Sequence, residues 1–168
     1  MTDYKRTHVA QEAMEFSRKN GVKTAISLSD PFVVQVFAQN MSQVIDSGVD
    51  LLFCNQDEAL SYTNSTNLED AIEGLKSIAK TFVITRWKWC NGFWWYSIAR
   101  VPGVSTEAVG TNGAGHMFSG AFLYAINAGH SYVWAAKFAN PASAWVVSQF
   151  GPRIESVEHD QIKQQFGI

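Results

Sequence analysis

Residues 111–122 read TNGAGHMFSGAF, and this stretch carries the sharpest chemical signal in the chain. Glycines set just before an amphipathic helix bare several backbone N–H groups at its positive end, which is an anion site. The plainer alternative is a tight helix entry whose small residues serve packing. A second cluster, residues 87–96, reads WKWCNGFWWY: six aromatic side chains in ten positions, among them four of the chain's six Trp. Rings at that density either wall a pocket for a flat ligand, with Trp87 and Trp89 foremost, or build a protein interface. Exposed patches of this kind also mark aggregation. The other candidates carry less. His8, His130 and His159 are scattered, and Lys137 on an apolar helix reads as a snorkelling lysine before a Schiff-base one. Asp57 and Glu58 are adjacent, so on a helix they diverge and do not share a proton. Cys54 closes an apolar run and reads as core, and no Cys/His spacing suits a structural zinc site.

Elements must hold these clusters in place, and helical and strand patterns alternate along the chain. That alternation argues for an α/β layered fold with a largely parallel sheet. Residues 4–19 set Val9, Ala13 and Phe16 at helical spacing, with Asn20-Gly21 as the stop. Val22–Ser29 has a short strand pattern ended by Asp30-Pro31. Residues 32–46 read as one helix, and Val49–Cys54 is a continuous apolar run of the kind a buried parallel strand shows. Asn55–Thr63 turns into a short helix. Asn67 caps a helix to Lys80, with Leu68, Ala71, Ile72, Leu75 and Ile78 as its apolar stripe. Thr81–Thr85 is another buried strand, and the spacing predicts a hairpin near 90–100, turning at Asn91-Gly92. A helix opens at Gly113 and stops before Gly129. The next, 132–149, contains Pro141, which should kink it, and the last covers 156–166 with Ser156 as cap.

A length of 168 residues suits a single domain over 1–168. Thirteen Lys and Arg against 15 Asp and Glu leave a charge of −2, which excludes a broadly basic nucleic-acid binder. No apolar run reaches the ~18 residues of a membrane span. The opening MTDYKR has no apolar stretch behind its basic residues, so no signal peptide is expected. Two cysteines are too few for a disulfide framework, and the expected setting is the reducing cytoplasm.

From residue 8 to 153 the chain resembles the PfkB/ribokinase family of carbohydrate and nucleoside kinases, its adenosine-kinase-like bacterial members in particular. The family signature D-T-x-G-A-G-D is followed by residues 110–116 as GTNGAGH. Residues 52–58, LFCNQDE, resemble its N-x-x-E segment, and residues 83–86, VITR, its strand before a glycine-rich nucleotide loop. Residues 138–140 (FAN) and 151–153 (GPR) are similar to the helix near the adenine and the chain beyond it. The resemblance implies a three-layer α/β/α ribokinase-like fold, with the family's N-terminal half and lid not represented. It implies ATP-dependent phosphorylation of a sugar hydroxyl, with Asn55 and Glu58 organising Mg²⁺ and phosphate. Gly113, Ala114 and Gly115 would form the anion hole, and Asn140 would lie by the adenine.

The departures cluster around that pocket. His116 stands at the position of the catalytic Asp, Gly110 at the first Asp, and Trp87-Lys88-Trp89-Cys90 where small residues let ATP pass. Pro141 and Trp145 replace small or polar residues. Bulk concentrated at the pocket, with the scaffold pattern kept, reads as an engineered half-kinase whose phosphoryl site has been rebuilt. By the family's architecture Cys90 and His116 both face the phosphates, so they would form a thiol–imidazole pair, with residues 113–115 as oxyanion hole and an aryl ester as substrate. That reading needs no cofactor. Two others stand beside it: a binding module through Trp87–Tyr96 for a small molecule or protein, and an inactive kinase fragment retaining ATP, Mg²⁺ or phosphate binding. Self-association through an open sheet edge or the Trp patch is also expected.

Overall fold

The computed structural model describes residues 4–45, 48–86, 89–94 and 97–168, with side chains for 7–45, 48–86 and 98–168. The chain divides into two compact units: Met1–Ile84 with Phe93–Ser97, and Thr85–Gly92 with Ile98–Ile168.

The first unit is mixed α/β. Helix α1 (Tyr4–Lys19) leads to strand β1 (Ala25–Ser27), which pairs in parallel with β2 (Val49–Asn55) in the register Ala25↔Leu51, Ile26↔Leu52, Ser27↔Phe53. Strand β3 (Ala79–Arg86) lies on the other side of β2. The apolar run of β2 is buried on both of its faces, as a central parallel strand requires. Leu28, Val34, Ile45, Val49, Leu52, Leu75, Phe82 and Ile84 form the core.

Several boundaries differ from the sequence expectation. The helix read over 32–46 is two, α2 (Pro31–Val36) and α3 (Ala38–Ile45), because Phe37 leaves helical geometry at φ −116°, ψ 24°. Asp30 caps α2 by accepting from the Phe32 and Val33 N–H groups. The chain then runs through β2 into α4 (Gln56–Thr63) and α5 (Leu68–Lys76). Helix α5 stops at Lys76, four residues short of the expected Lys80, and β3 takes up Ala79 and Lys80. The predicted stripe of α1 points outward: Val9 is 64% and Phe16 65% exposed, while Thr7 and Met14 are buried. Polar bonds set that rotation. Asn40 of α3 donates to Thr7 Oγ1 at 2.9 Å, and Gln11 donates to the Gln43 carbonyl at 3.3 Å.

Strands β4 (Trp89–Trp94) and β5 (Ser97–Pro102) are hydrogen-bonded neighbours. Asn91-Gly92, expected at the turn of a hairpin, lies inside β4. The second unit continues with α6 (Ala114–Asn127), α7 (Tyr132–Val147, containing Pro141) and α8 (Ser156–Gln165). Phe118, Phe122, Phe138 and Val146 are its buried anchors. Ser156 is the first helical residue of α8 and not its cap: the Glu158 carboxylate accepts from the Glu155 N–H at 2.6 Å, one position earlier. Among the described residues, no helix is long and apolar enough to cross a membrane.

Candidate functional site

The entry to α6 is built from a tight turn. The Ala114 N–H donates to the Thr111 carbonyl at 3.3 Å, and Gly113 sits at φ 85°, ψ −10°. Those are the angles of the third residue of a type II turn, which glycine takes without strain. Space makes the same demand, since a Cβ at Gly113 would lie 2.6 Å from the Pro152 carbonyl oxygen. Gly110 is different: a Cβ there would meet only Gln149 O at an ordinary 3.7 Å, so sterics do not exclude a side chain at that position.

The turn is held from three sides within its unit. The Met117 N–H donates to Gly113 O at 2.8 Å, and Ser143 Oγ of α7 donates to Ala114 O at 3.0 Å. The Val109 and Gly110 N–H groups both donate to the Val147 carbonyl, at 2.9 and 3.2 Å. Nothing in the sequence singled out Ser143 or Val147, because their contacts with the turn are distant along the chain. Burial of Phe118, Phe122 and Ala125 on one side of α6 turns Gly115, His116 and Gly120 outward.

No side chain caps α6. The N–H groups of Gly113, Gly115 and His116 have no acceptor among the described residues, while that of Ala114 is directed to Thr111 O. Uncommitted N–H groups at the positive end of a 14-residue helix suit an anion. The His116 imidazole lies exposed on the same first turn.

In the first unit, Asn55 and Glu58 form a closed capping box at α4. Asn55 Oδ1 accepts from the Glu58 N–H at 2.8 Å, Glu58 Oε2 accepts from the Asn55 N–H at 2.9 Å, and Asn55 Nδ2 donates to Glu58 Oε1 at 2.7 Å. Glu58 is buried and Asp57 exposed, so the two carboxylates do diverge. The oxygens of Asn55 and Glu58 are hard donors of the type Mg²⁺ takes. Cys54, just before them, is buried with its thiol toward Val83 O at 3.9 Å. Burial, assisted by the Glu58 charge, pushes that thiol up, so it stays protonated and inert.

The remaining predicted residues are placed as follows. Asn140 Nδ2 donates to the Pro102 carbonyl at 2.8 Å. Lys137 is exposed on α7, and His130 stacks on Trp134 with centroids 3.6 Å apart. Among the described residues, no His, Cys, Asp and Glu gather into a metal-binding group. The side chains of Cys90, Trp87, Trp89 and the rest of the aromatic cluster lie outside the described residues.

The chain matches the pfkB family carbohydrate kinases over residues 1–160. Among solved structures it is similar to adenosine kinase from Sinorhizobium meliloti, at 28% identity and a TM-score of 0.87 over 94% of this chain and 49% of that one. A probable sugar kinase from Rhizobium etli gives 26% identity and 0.87 over 95% and 49%. A putative ribokinase II from E. coli, in complex with ATP and Mg²⁺, gives 18% and 0.82 over 97% and 55%. The chain thus spans about half the length of these structures. No curated protein sequence matches it.

Proposed function

The chain belongs to the pfkB family of carbohydrate kinases, and from that premise we propose that it binds the phosphate end of a nucleoside triphosphate at the α6 turn without transferring it. The observation that carries this reading is the uncapped, solvent-facing N-terminus of α6, held open by a glycine that the Pro152 backbone makes compulsory. The putative ribokinase II from E. coli that shares the fold was solved in complex with ATP and Mg²⁺, which supports a nucleotide as the ligand. Mg²⁺, when bound, neutralises phosphate charge. Transfer is not expected. His116 stands where the resemblance places the carboxylate base. The test is a melting curve with ATP and Mg²⁺ set against one with adenosine. A rise with the nucleotide alone supports phosphate recognition, and equal curves at millimolar ligand overturn it.

A second reading draws on the exposed His116 beside the same N–H groups: cleavage of an aryl ester by a Cys90–His116 pair, with the turn as oxyanion hole. Under it, Cys90→Ala abolishes turnover of an activated ester. Ester turnover unchanged in that variant removes the reading.

A further inference from the structure

Three Asn-Gly pairs occur in the chain, at 20–21, 91–92 and 112–113, and the third lies within the anion-binding turn. Asn is a thermolabile residue, and a following glycine, lacking Cβ, leaves its amide nitrogen open to attack the carboxamide. We propose that Asn112-Gly113 is a site of spontaneous succinimide formation, and that its products disable the anion site. The chemistry is closed. The Gly113 amide nitrogen loses its proton to solvent base and forms a bond to Asn112 Cγ. The Cγ–NH₂ bond breaks, and ammonia leaves with a proton taken back from solvent. Water then opens the ring at either carbonyl, giving an aspartyl or isoaspartyl residue at position 112, so the net change is water in and ammonia out.

Two features single out this pair. Asn112 is exposed, and neither its carboxamide nor the Gly113 N–H has a hydrogen-bond partner among the described residues. At Asn20-Gly21 both reacting groups are engaged: Asn20 Nδ2 donates to Phe16 O at 2.8 Å and the Gly21 N–H donates to Arg18 O at 3.3 Å. The glycine of the labile pair is also fixed, because any Cβ at position 113 collides with the Pro152 backbone. The consequence is electrostatic. Either product puts a carboxylate next to the N-cap of α6, where it occupies the helix's positive end and repels a bound phosphate. The isoaspartyl form also lengthens the main chain at the turn.

The binding half of this inference rests on the proposed nucleotide reading, and the modification half does not. The full chain is aged at 37 °C in mildly alkaline buffer, peptide-mapped for exchange of NH₂ by OH, and assayed for isoaspartate. Modification several-fold faster at 112 than at 20 is expected, and equal or slower modification at 112 overturns the proposal. Melting shifts with ATP and Mg²⁺ are read on fresh, aged and Asn112→Gln protein. Loss of the shift in the aged sample but not in aged Asn112→Gln protein is expected. An aged sample modified at 112 that keeps the full shift overturns the second half, whereas a fresh sample without any shift removes only the nucleotide reading.

Discussion

At the scale of single residues, Gly113 and Asp50 make sharply different demands. Gly113 combines a positive φ with a backbone collision at 2.6 Å. Gly113→Ala therefore carries both left-handed strain and displacement of Pro152, together about 2–3 kcal/mol of lost stability, read as a lower denaturant midpoint. Asp50 of β2 ties together the approach to β1 and strand β3: it accepts from the Thr24 N–H at 2.9 Å and from Lys80 Nζ at 2.8 Å. Burial raises its carboxyl, but the Lys80 ammonium and the Thr24 bonds outweigh that and hold it below the usual carboxylate range. A depressed folded pKa means that the stabilisation is present above the unfolded value and lost as pH falls through the folded one. Since the pair is part-exposed, the loss is modest, about 0.5–1 kcal/mol. Asp50→Asn should flatten that part of the acid-unfolding profile, and an unchanged profile would show that the ion pair contributes nothing.

At the scale of elements, α7 offers the cleanest probe. Pro141 sits inside it with no N–H to give Lys137 O, four residues back. Pro141→Ala restores that bond and should stabilise the chain by about 1–3 kcal/mol, seen in the same denaturant titration. That missing bond was legible in the sequence because proline's constraint is local. So were the β2 run, the Asn67 cap and the α6 limits, all of which follow from residue type. What the sequence hid depends on distant partners. The rotation of α1 is set by Asn40 and Gln43 of α3, against the apolar spacing of Val9, Ala13 and Phe16. The α2–α3 break at Phe37 has neither Gly nor Pro to announce it. For the candidate site, the glycine turn was readable from its spacing, but its supports Ser143 and Val147 were not, since they reach it from a helix distant along the chain.

At the scale of the whole molecule, the outward Val9–Ala13–Phe16 face of α1 and the edge strand β1 are exposed features of the first unit. An open strand edge and uncovered apolar surface each invite association. Light scattering after size exclusion should show mass rising with concentration, and Phe16→Glu should reduce it while leaving the far-ultraviolet circular dichroism intact. A monomer at every concentration would contradict this.

On the proposed reading, the α6 turn recognises the phosphates of a nucleotide. Titration calorimetry of ATP with Mg²⁺ into the fresh chain, with the nucleotide recovered and quantified afterwards, tests that claim most directly. Saturable heat and intact ATP are expected. No heat at millimolar nucleotide, or ADP accumulating with time, would contradict it.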